Sequence, residues 1–442
     1  MMLKKKKTVS LIVAVLSFIF LFHIFGFFLY ILQTDFNQFN YPIELDNLPE
    51  ILKEHRRMYY DGISKEQALI NVSTTFNVQP LIHYGDLLVE NKTKCLTSWS
   101  KTEPDQAFPN AMLDLNNQKL KPQAYDHVYL TVVVKSALTN RHRRDAIRKS
   151  WGNENQFKDN RLRTVFSLGS CDKFIKDELV LLESNAKVNP KLSADQHLSV
   201  EVVRRRCSEL IKQENELYWD IIQNNWADTY FNNTIKTMIG ICWAINQCAN
   251  SEFYLLVDDD YYMSMGNMMR FLDDLSSAEK VAQSSFVAVD SSSEENLTTS
   301  RVWKPLKFRP FEDHFYGGFV FNSTTPCRHQ TSKWFIDLNE YPFSRWPPYV
   351  TAGMVLLSHR TLLDFHLTAY YTMKFRFDDI FLSILALKND VKPTHMSNVY
   401  FYRKDFDPED LEEFKSVIGS HGYNDPIEML DVWNQNQVLG YT

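Results

Sequence analysis

The chain has 442 residues, 44% of them hydrophobic and 23% charged, which is enough apolar material for a sizeable core and excludes disorder throughout. Its formal charge of −6, with basic residues scattered apart from one N-terminal cluster, gives no long-range attraction to nucleic acid and sets that partner aside. The aromatic share of 14% serves core filling first, and also suits stacking on flat apolar ligand faces.

Lys4, Lys5, Lys6 and Lys7 precede an almost unbroken apolar run over 11–32, which as a helix would measure about 33 Å and cross a bilayer. A cleaved signal peptide has a shorter apolar region and a small-residue cleavage site, and neither is evident. The expectation is therefore a cytoplasmic tail over 1–10 and a transmembrane signal-anchor over 11–32. Lysines before the span and none directly after it predict a type II, single-pass membrane protein with everything beyond in the secretory lumen. His23 within the run carries no assigned function. Cys95, Cys171, Cys207, Cys242, Cys248 and Cys327 all follow the span, where disulfides persist, though spacing alone assigns no bridge. Sequons at Asn71, Asn91, Asn232, Asn296 and Asn322 fit the same side of the membrane.

From 33 to 124 the prolines are many, the rest is largely polar, and no sustained periodicity emerges, so this segment is expected to be a stem. A folded domain is expected over 125–442. Residues 128–134 read as a buried strand, followed by a charged helix start over 141–151. Residues 164–169 read as a second strand, 201–214 and 234–249 as helices, and 253–257 as another buried strand. Strands alternating with helices predict an α/β fold with a mainly parallel sheet flanked by helices.

In Leu255-Leu256-Val257-Asp258-Asp259-Asp260 an apolar strand runs straight into three carboxylates. Three adjacent anions cannot be buried without partners, so they belong at the strand's exit, facing solvent or a cation. Extended geometry would put Asp258 and Asp260 on one side and Asp259 on the other. Oxygen ligands of this kind suit Mg²⁺ or Mn²⁺, and the carboxyl ends of strands are where open α/β sheets bind ligands. A solvated turn is the plain alternative. An EF-hand loop is not, because Tyr261-Tyr262-Met263-Ser264 lacks its spaced ligands.

Several blocks stand around this triplet in a fixed order. They are Arg143-Arg144-Asp145-Ala146-Ile147-Arg148-Lys149-Ser150-Trp151-Gly152, Phe166 with Gly169, Asp220-Ile221-Ile222-Gln223, Asp228-Thr229-Tyr230, Lys236-Thr237 and Trp243. After the triplet come Tyr316-Gly317-Gly318, Lys333-Trp334, Trp346-Pro347-Pro348-Tyr349, Ala352-Gly353, Phe377-Asp378-Asp379-Ile380-Phe381-Leu382 and Ser420-His421-Gly422 with Trp433. This succession resembles the β-1,3-galactosyltransferase and β-1,3-N-acetylglucosaminyltransferase family, to which fringe-type enzymes are related. The resemblance implies a GT-A-like fold, a UDP-sugar donor, Mn²⁺, and inversion to form a β-1,3 linkage. It also implies a Golgi membrane enzyme whose catalytic glycosyltransferase domain is luminal, acting on a glycan acceptor carried by glycolipid or glycoprotein. Asp378 stands where the family usually has Glu, Ser383 where it usually has Gly, and Leu256 where Lys is frequent.

Under that resemblance Asp379 is the expected base, since an inverting transfer needs a carboxylate within reach of the acceptor hydroxyl. Asp378-Asp379 at the start of an apolar helix would also favour the helix dipole, and both roles are compatible. Asp260 is the expected metal ligand, with Asp258 serving metal or ribose, Asp259 contributing to donor binding or held instead by structural hydrogen bonds, and His421 as an imidazole ligand. Arg144 and Arg148, four apart, would meet the uridine diphosphate or form an ion-paired face. Trp334, Trp346 and Tyr349 would stack on acceptor sugars or act as packing anchors, and Trp151 belongs to the core or a pocket wall. A catalytically inactive luminal chaperone or glycan binder is the rival reading, opposed by the intact carboxylates.

Overall fold

The computed structural model describes residues 2–24, 26–38, 47–81, 127–157, 161–186, 199–229, 232–277, 279–280 and 306–440. Cys95, Asn91, Asn296 and the loop around 290–300 lie outside them. Helices α1 (Met2–Ile24) and α2 (Phe27–Ile31) occupy the apolar N-terminal run. The expected span is thus not one continuous helix: it stops at Ile24 and resumes at Phe27, with Gly26 at φ 70° between them. Leu11, Phe18 and Phe20 of α1 are more than half exposed. Among the described residues, no helix is long and apolar enough to cross a membrane.

The segment read as a stem holds two helices, α3 (Leu48–Tyr60) and α4 (Lys65–Phe76). Leu48, Ile51, Leu52, His55 and Met58 are buried at three- and four-residue spacing, so α3 presents one apolar stripe inward. That stripe joins the main core, and Arg56 reaches buried Asp364 at 2.8 Å. Sequence reading missed this periodicity because prolines and polar residues on the outer face diluted it.

The sheet begins with β1 (Leu130–Lys135), followed by α5 (Arg141–Lys149), β2 (Leu162–Ser170), α6 (Lys176–Asn185), α7 (Val200–Tyr218), β3 (Ile221–Ala227), α8 (Asn233–Gln247) and β4 (Phe253–Asp258). Then come β5 (Tyr262–Met263), α9 (Met265–Ser277), β6 (Glu279–Lys280), β7 (Leu306–Lys307), β8 (Tyr316–Phe321) and β9 (Tyr349–Ser358). The chain closes with α10 (His359–Ala369), α11 (Asp378–Lys388), β10 (Thr394–His395), β11 (Val399–Tyr400), α12 (Leu411–Phe414), β12 (Gly419–Ser420) and α13 (Pro426–Val438).

Seven strands form one sheet in the order β10-β8-β9-β4-β1-β2-β3. The pairs β1/β2, β1/β4, β2/β3 and β10/β8 are parallel, and only β9 runs against its neighbours. This is the expected α/β architecture with a mixed, mainly parallel sheet, and it fits a GT-A-like fold. Alternate residues of the buried strands feed two cores. Val133 and Leu256 face α8, α10 and α11, while Val132, Val134, Leu255 and Val257 face α5, α9 and α13. Each such buried side chain contributes on the order of 1.5–3 kcal/mol.

Cys171 and Cys207 are joined by a disulfide that ties the end of β2 to α7. Cys248 is also disulfide-bonded, whereas Cys242 and Cys327 remain thiols.

Candidate active site

Of three neighbouring parallel strands, β1 closes at Lys135 and β4 at Asp258 on one level, while β2 runs on past that level to Ser170. β1 and β4 pair in register, Lys135 opposite Asp258. Beyond them lies a cavity of about 450 Å³ lined by Asn140, Phe174, Asp228, Lys236 and the three aspartates.

The triplet sits at the strand exit as expected, but the extended alternation stops there. Asp258 ends β4 and the next two residues form a turn, so Asp258 and Asp260 do not share one strand face. Each carboxylate has its own partners. Asp258 meets Lys135 Nζ at 2.9 Å. Asp259 is buried, and accepts from Ser136 Oγ at 2.6 Å, Asn140 Nδ2 at 3.0 Å and Arg143 Nη1 at 2.9 Å. It thus orders the loop after β1, and these three bonds occupy the carboxylate also expected to contribute to donor binding. Asp260 Oδ2 lies 3.4 Å from His421 Nε2, and Asp260 Oδ1 is buried with no hydrogen-bond partner among the described residues.

Protonation follows from these surroundings. Burial pushes the Asp258 carboxyl up to about 6, Lys135 opposing and the nearby Asp260 and Asp378 charges adding to it. The hydrogen bond to Asp260 raises His421 above its ordinary value. Burial opposes the Asp260 charge, but His421 and Arg143 hold its carboxyl below the usual range. The His421 ring also packs 5.3 Å from Tyr261, whose own ring crosses β9 at Gly353. A Cβ on Gly353 would sit 2.5 Å from that ring, so only glycine admits this approach.

Lys135 carries the connection to the second acidic pair. Its Nζ donates to Asp378 Oδ2 at 2.8 Å and to the Ala352 carbonyl at 2.9 Å. Thr237 Oγ1 donates to the same Asp378 oxygen at 2.8 Å. Burial works against the Asp378 charge, yet Lys135 and Thr237 keep its carboxyl below the ordinary value. Asp379, next in the first turn of α11, feels the Lys135 charge only from a distance. Burial and the Asp378 charge push its carboxyl up to about 7. Its Oδ1 accepts from the Ile380 N–H at 2.8 Å, which leaves the other oxygen for a ligand.

Arg144 and Arg148 require correction. Arg144 is fully buried and forks onto Glu214 at 2.8 Å through both Nε and Nη2, while its Nη1 donates to the Ala137 carbonyl at 2.6 Å. Arg148 binds Glu214, Asp220 and Asp145. Two guanidinium groups committed to three carboxylates and the neighbouring carbonyls are not presented to a diphosphate; instead they brace the loop under the cavity. Burial opposes the Glu214 charge, but the two arginines hold its carboxyl down at about 2.

Trp346 is also corrected, being buried against Tyr341 at 4.2 Å and Phe375 at 5.5 Å as a packing anchor. Tyr349 is half-buried and Trp334 is 45% exposed beside Phe377, so those two remain accessible. Trp151 is core, its indole N–H donating to the Tyr261 carbonyl at 3.1 Å. Of the described sequons, Asn322 is exposed, whereas Asn71 and Asn232 are half-buried, Asn232 donating to the Ala227 carbonyl. Sequence reasoning missed Lys135, and Asp228 with Lys236, which pair at 2.6 Å on the cavity wall. A lysine ending an otherwise apolar strand was the available signal.

Among the described residues no group of three or more His, Cys, Asp or Glu side chains is drawn together closely enough to hold a metal ion unaided. The donor set nonetheless suits a hard divalent ion: Asp260 Oδ1 is an orphaned buried acceptor, and Asp258 and His421 stand beside it.

The galactosyltransferase family model matches residues 201–309 and 297–397. The chain is 35% identical over 316 residues to the β-1,3-galactosyltransferase brn of Drosophila melanogaster, covering 71% of this chain and 75% of that one. It is 28% identical to the β-1,3-galactosyltransferase bre-5 of Caenorhabditis elegans, over 83% of this chain and 92% of the relative. Identity to a lactosylceramide 1,3-N-acetyl-β-D-glucosaminyltransferase of Xenopus tropicalis is 26%, over 84% and 81%.

Proposed function

The chain belongs to the galactosyltransferase family and is a glycosyltransferase, and from that premise we propose that it transfers galactose or an N-acetylhexosamine from a UDP-sugar to a glycan in β-1,3 linkage, with inversion. One observation carries the reading: Asp379 is a carboxylate whose pKa is raised to about 7 at the helix start beside Asp378, and Lys135 links Asp378 to the Asp258 end of the aspartate turn. A base poised near the working pH is what abstraction of a hydroxyl proton needs.

In this reading the nucleotide occupies the cavity beyond β1 and β2, with Phe174 as an apolar wall and Asn140, Asp228 and Lys236 as polar contacts. Asp260, Asp258 and His421 would hold Mn²⁺, whose charge offsets that of the departing diphosphate. Asp379 takes the proton of the acceptor 3-hydroxyl as its oxygen bonds to the anomeric carbon. The bond from that carbon to the UDP oxygen breaks on the opposite face, its electron pair leaving with UDP. Attack opposite the leaving group inverts the anomeric centre. Lys135 keeps Asp378 ionised, so that Asp379 rather than its neighbour carries the exchangeable proton.

The apolar, exposed face of α1 following four lysines supports an N-terminal anchor and a type II placement in the Golgi membrane. The disulfides support a luminal position for the domain over 125–442. Acceptors on glycolipid or glycoprotein fit this setting, and one similar protein is named for lactosylceramide.

The test is a panel of UDP-galactose, UDP-N-acetylglucosamine and UDP-N-acetylgalactosamine against single-sugar and oligosaccharide glycosides, using the full chain in detergent with and without Mn²⁺. A Mn²⁺-dependent product with a new β-1,3 linkage by NMR is expected. An α product, or no transfer from any of the three donors, overturns the proposal.

A further inference from the structure

The mouth of the site carries an aromatic surface to which none of the roles above is assigned beyond Tyr349. β8 and β9 pair antiparallel with Phe321 opposite Tyr349, their rings 5.6 Å apart. Phe321 then meets Phe401 at 5.0 Å, Phe401 packs on Phe319 at 4.5 Å, and Tyr402 stands edge-on to Phe401 at 5.3 Å. Five rings therefore run without interruption from the sheet to the outside. Phe401 is 38% exposed and Tyr402 49%.

Two members of this segment neighbour groups of the site. The Tyr349 hydroxyl lies within the field of Asp379. The backbone of Tyr400 accepts from the N–H of His421 at 3.1 Å, immediately before Phe401. The ring series thus starts from Tyr349 beside Asp379, and the segment that carries Phe401 and Tyr402 is tied through its backbone to His421.

Charge narrows the occupant. Arg403 is spent on Asp405 at 2.6 Å and on Glu428, and Lys404 Nζ lies over the Tyr400 ring at 5.8 Å, so the cations beside the rings do not form the polybasic cluster that anionic headgroups select. Flat, uncharged rings in sequence match the C–H faces of pyranoses, which stack on aromatic side chains while their hydroxyls stay in water.

We propose that Phe321, Phe401 and Tyr402 form a stacking subsite for the second sugar of the acceptor, counted from the sugar whose hydroxyl is attacked. The inference rests on the transferase reading above. It makes the enzyme selective for acceptors of two or more sugars.

The test uses the full chain in detergent with the donor found in the panel above. KM is measured for a single-sugar methyl glycoside and for the disaccharide bearing the same terminal sugar. In Phe401→Ala the ratio of the disaccharide KM to the single-sugar KM is expected to rise about tenfold, the loss of one stacking contact. Phe401→Trp, which keeps a ring, should hold the wild-type ratio, and Tyr402→Ala, at a more exposed position, tests the same subsite if Phe401→Ala folds poorly. A ratio unmoved in both alanine variants overturns the inference, as does a rise seen only with lipid-linked acceptors, which would make the occupant a lipid. A wild-type chain that transfers to neither acceptor overturns the transferase reading, and this one with it.

Discussion

Lys135 and Asp378 meet at 2.8 Å across 243 residues of sequence, and the same ammonium lies 2.9 Å from Asp258. One buried cation therefore holds the aspartate turn and the start of α11 in a common frame. Lys135→Met should leave the buried Asp378 and the partly exposed Asp258 without their shared counter-charge and cost about 3–5 kcal/mol of stability, chiefly at Asp378. Urea unfolding of the variant, with transfer rates measured below its midpoint, checks this; an unchanged midpoint would show that the two acids are not bound to one another through Lys135.

Asp379→Asn keeps the shape of the first turn of α11 and removes the proton acceptor. Its transfer rate should fall by about 10²–10⁴-fold, while UDP binding measured by calorimetry stays near the wild-type value. A variant of full activity would take Asp379 out of the base role.

The pH dependence has a definite sign. Asp379 accepts a proton only when ionised, so kcat should rise with pH through about 7 and level off above it. For folding the sign is the reverse. A carboxyl whose folded pKa lies above its unfolded value favours the folded state at low pH, and that contribution disappears as pH rises from the unfolded value through about 7. Asp258, raised to about 6, acts in the same direction and leaves a residual slope. In metal-free buffer the decline in urea midpoint between pH 5 and pH 8 should be smaller in Asp379→Asn than in the wild type.

Arg144→Met should act on stability rather than on donor binding. It strips a fully buried Glu214 of its bidentate partner, and the cost should be about 3–5 kcal/mol, moderated by Arg148 at 2.9 Å. Thermal unfolding and the KM for UDP-sugar, measured on the folded fraction, separate the two effects.

The N-terminal helices should behave as part of the catalytic domain. Ile51 of α3 is wholly buried in the main core, so Ile51→Ala should cost about 2–5 kcal/mol. A variant as stable as the wild type would mean that α3 is not docked in solution.

What could be read in advance followed from local pattern. Apolar runs of strand length located β1 and β4, and three adjacent carboxylates had only the strand exit to occupy. What could not be read depended on partners distant in sequence. The four-residue spacing of Arg144 and Arg148 put both on one helix face, but only folding shows that Glu214, Asp220 and Asp145 claim them. Trp346 is a sugar-stacking candidate by residue type and a packing anchor by its neighbours Tyr341 and Phe375. The apolar stripe of α3 was present all along at 48, 51, 52, 55 and 58, yet a thirteen-residue helix among prolines has too few turns to stand out.

Thr34, two residues beyond the apolar run, exchanges backbone hydrogen bonds with Pro342 and Ser344 at 2.8 Å. With α1 seated in a bilayer, that contact would act as a short leash instead of a mast. The enzyme could neither sweep far from the lipid surface nor tumble freely above it, and the glycans within its grasp would be those that bend down to the membrane or grow from it.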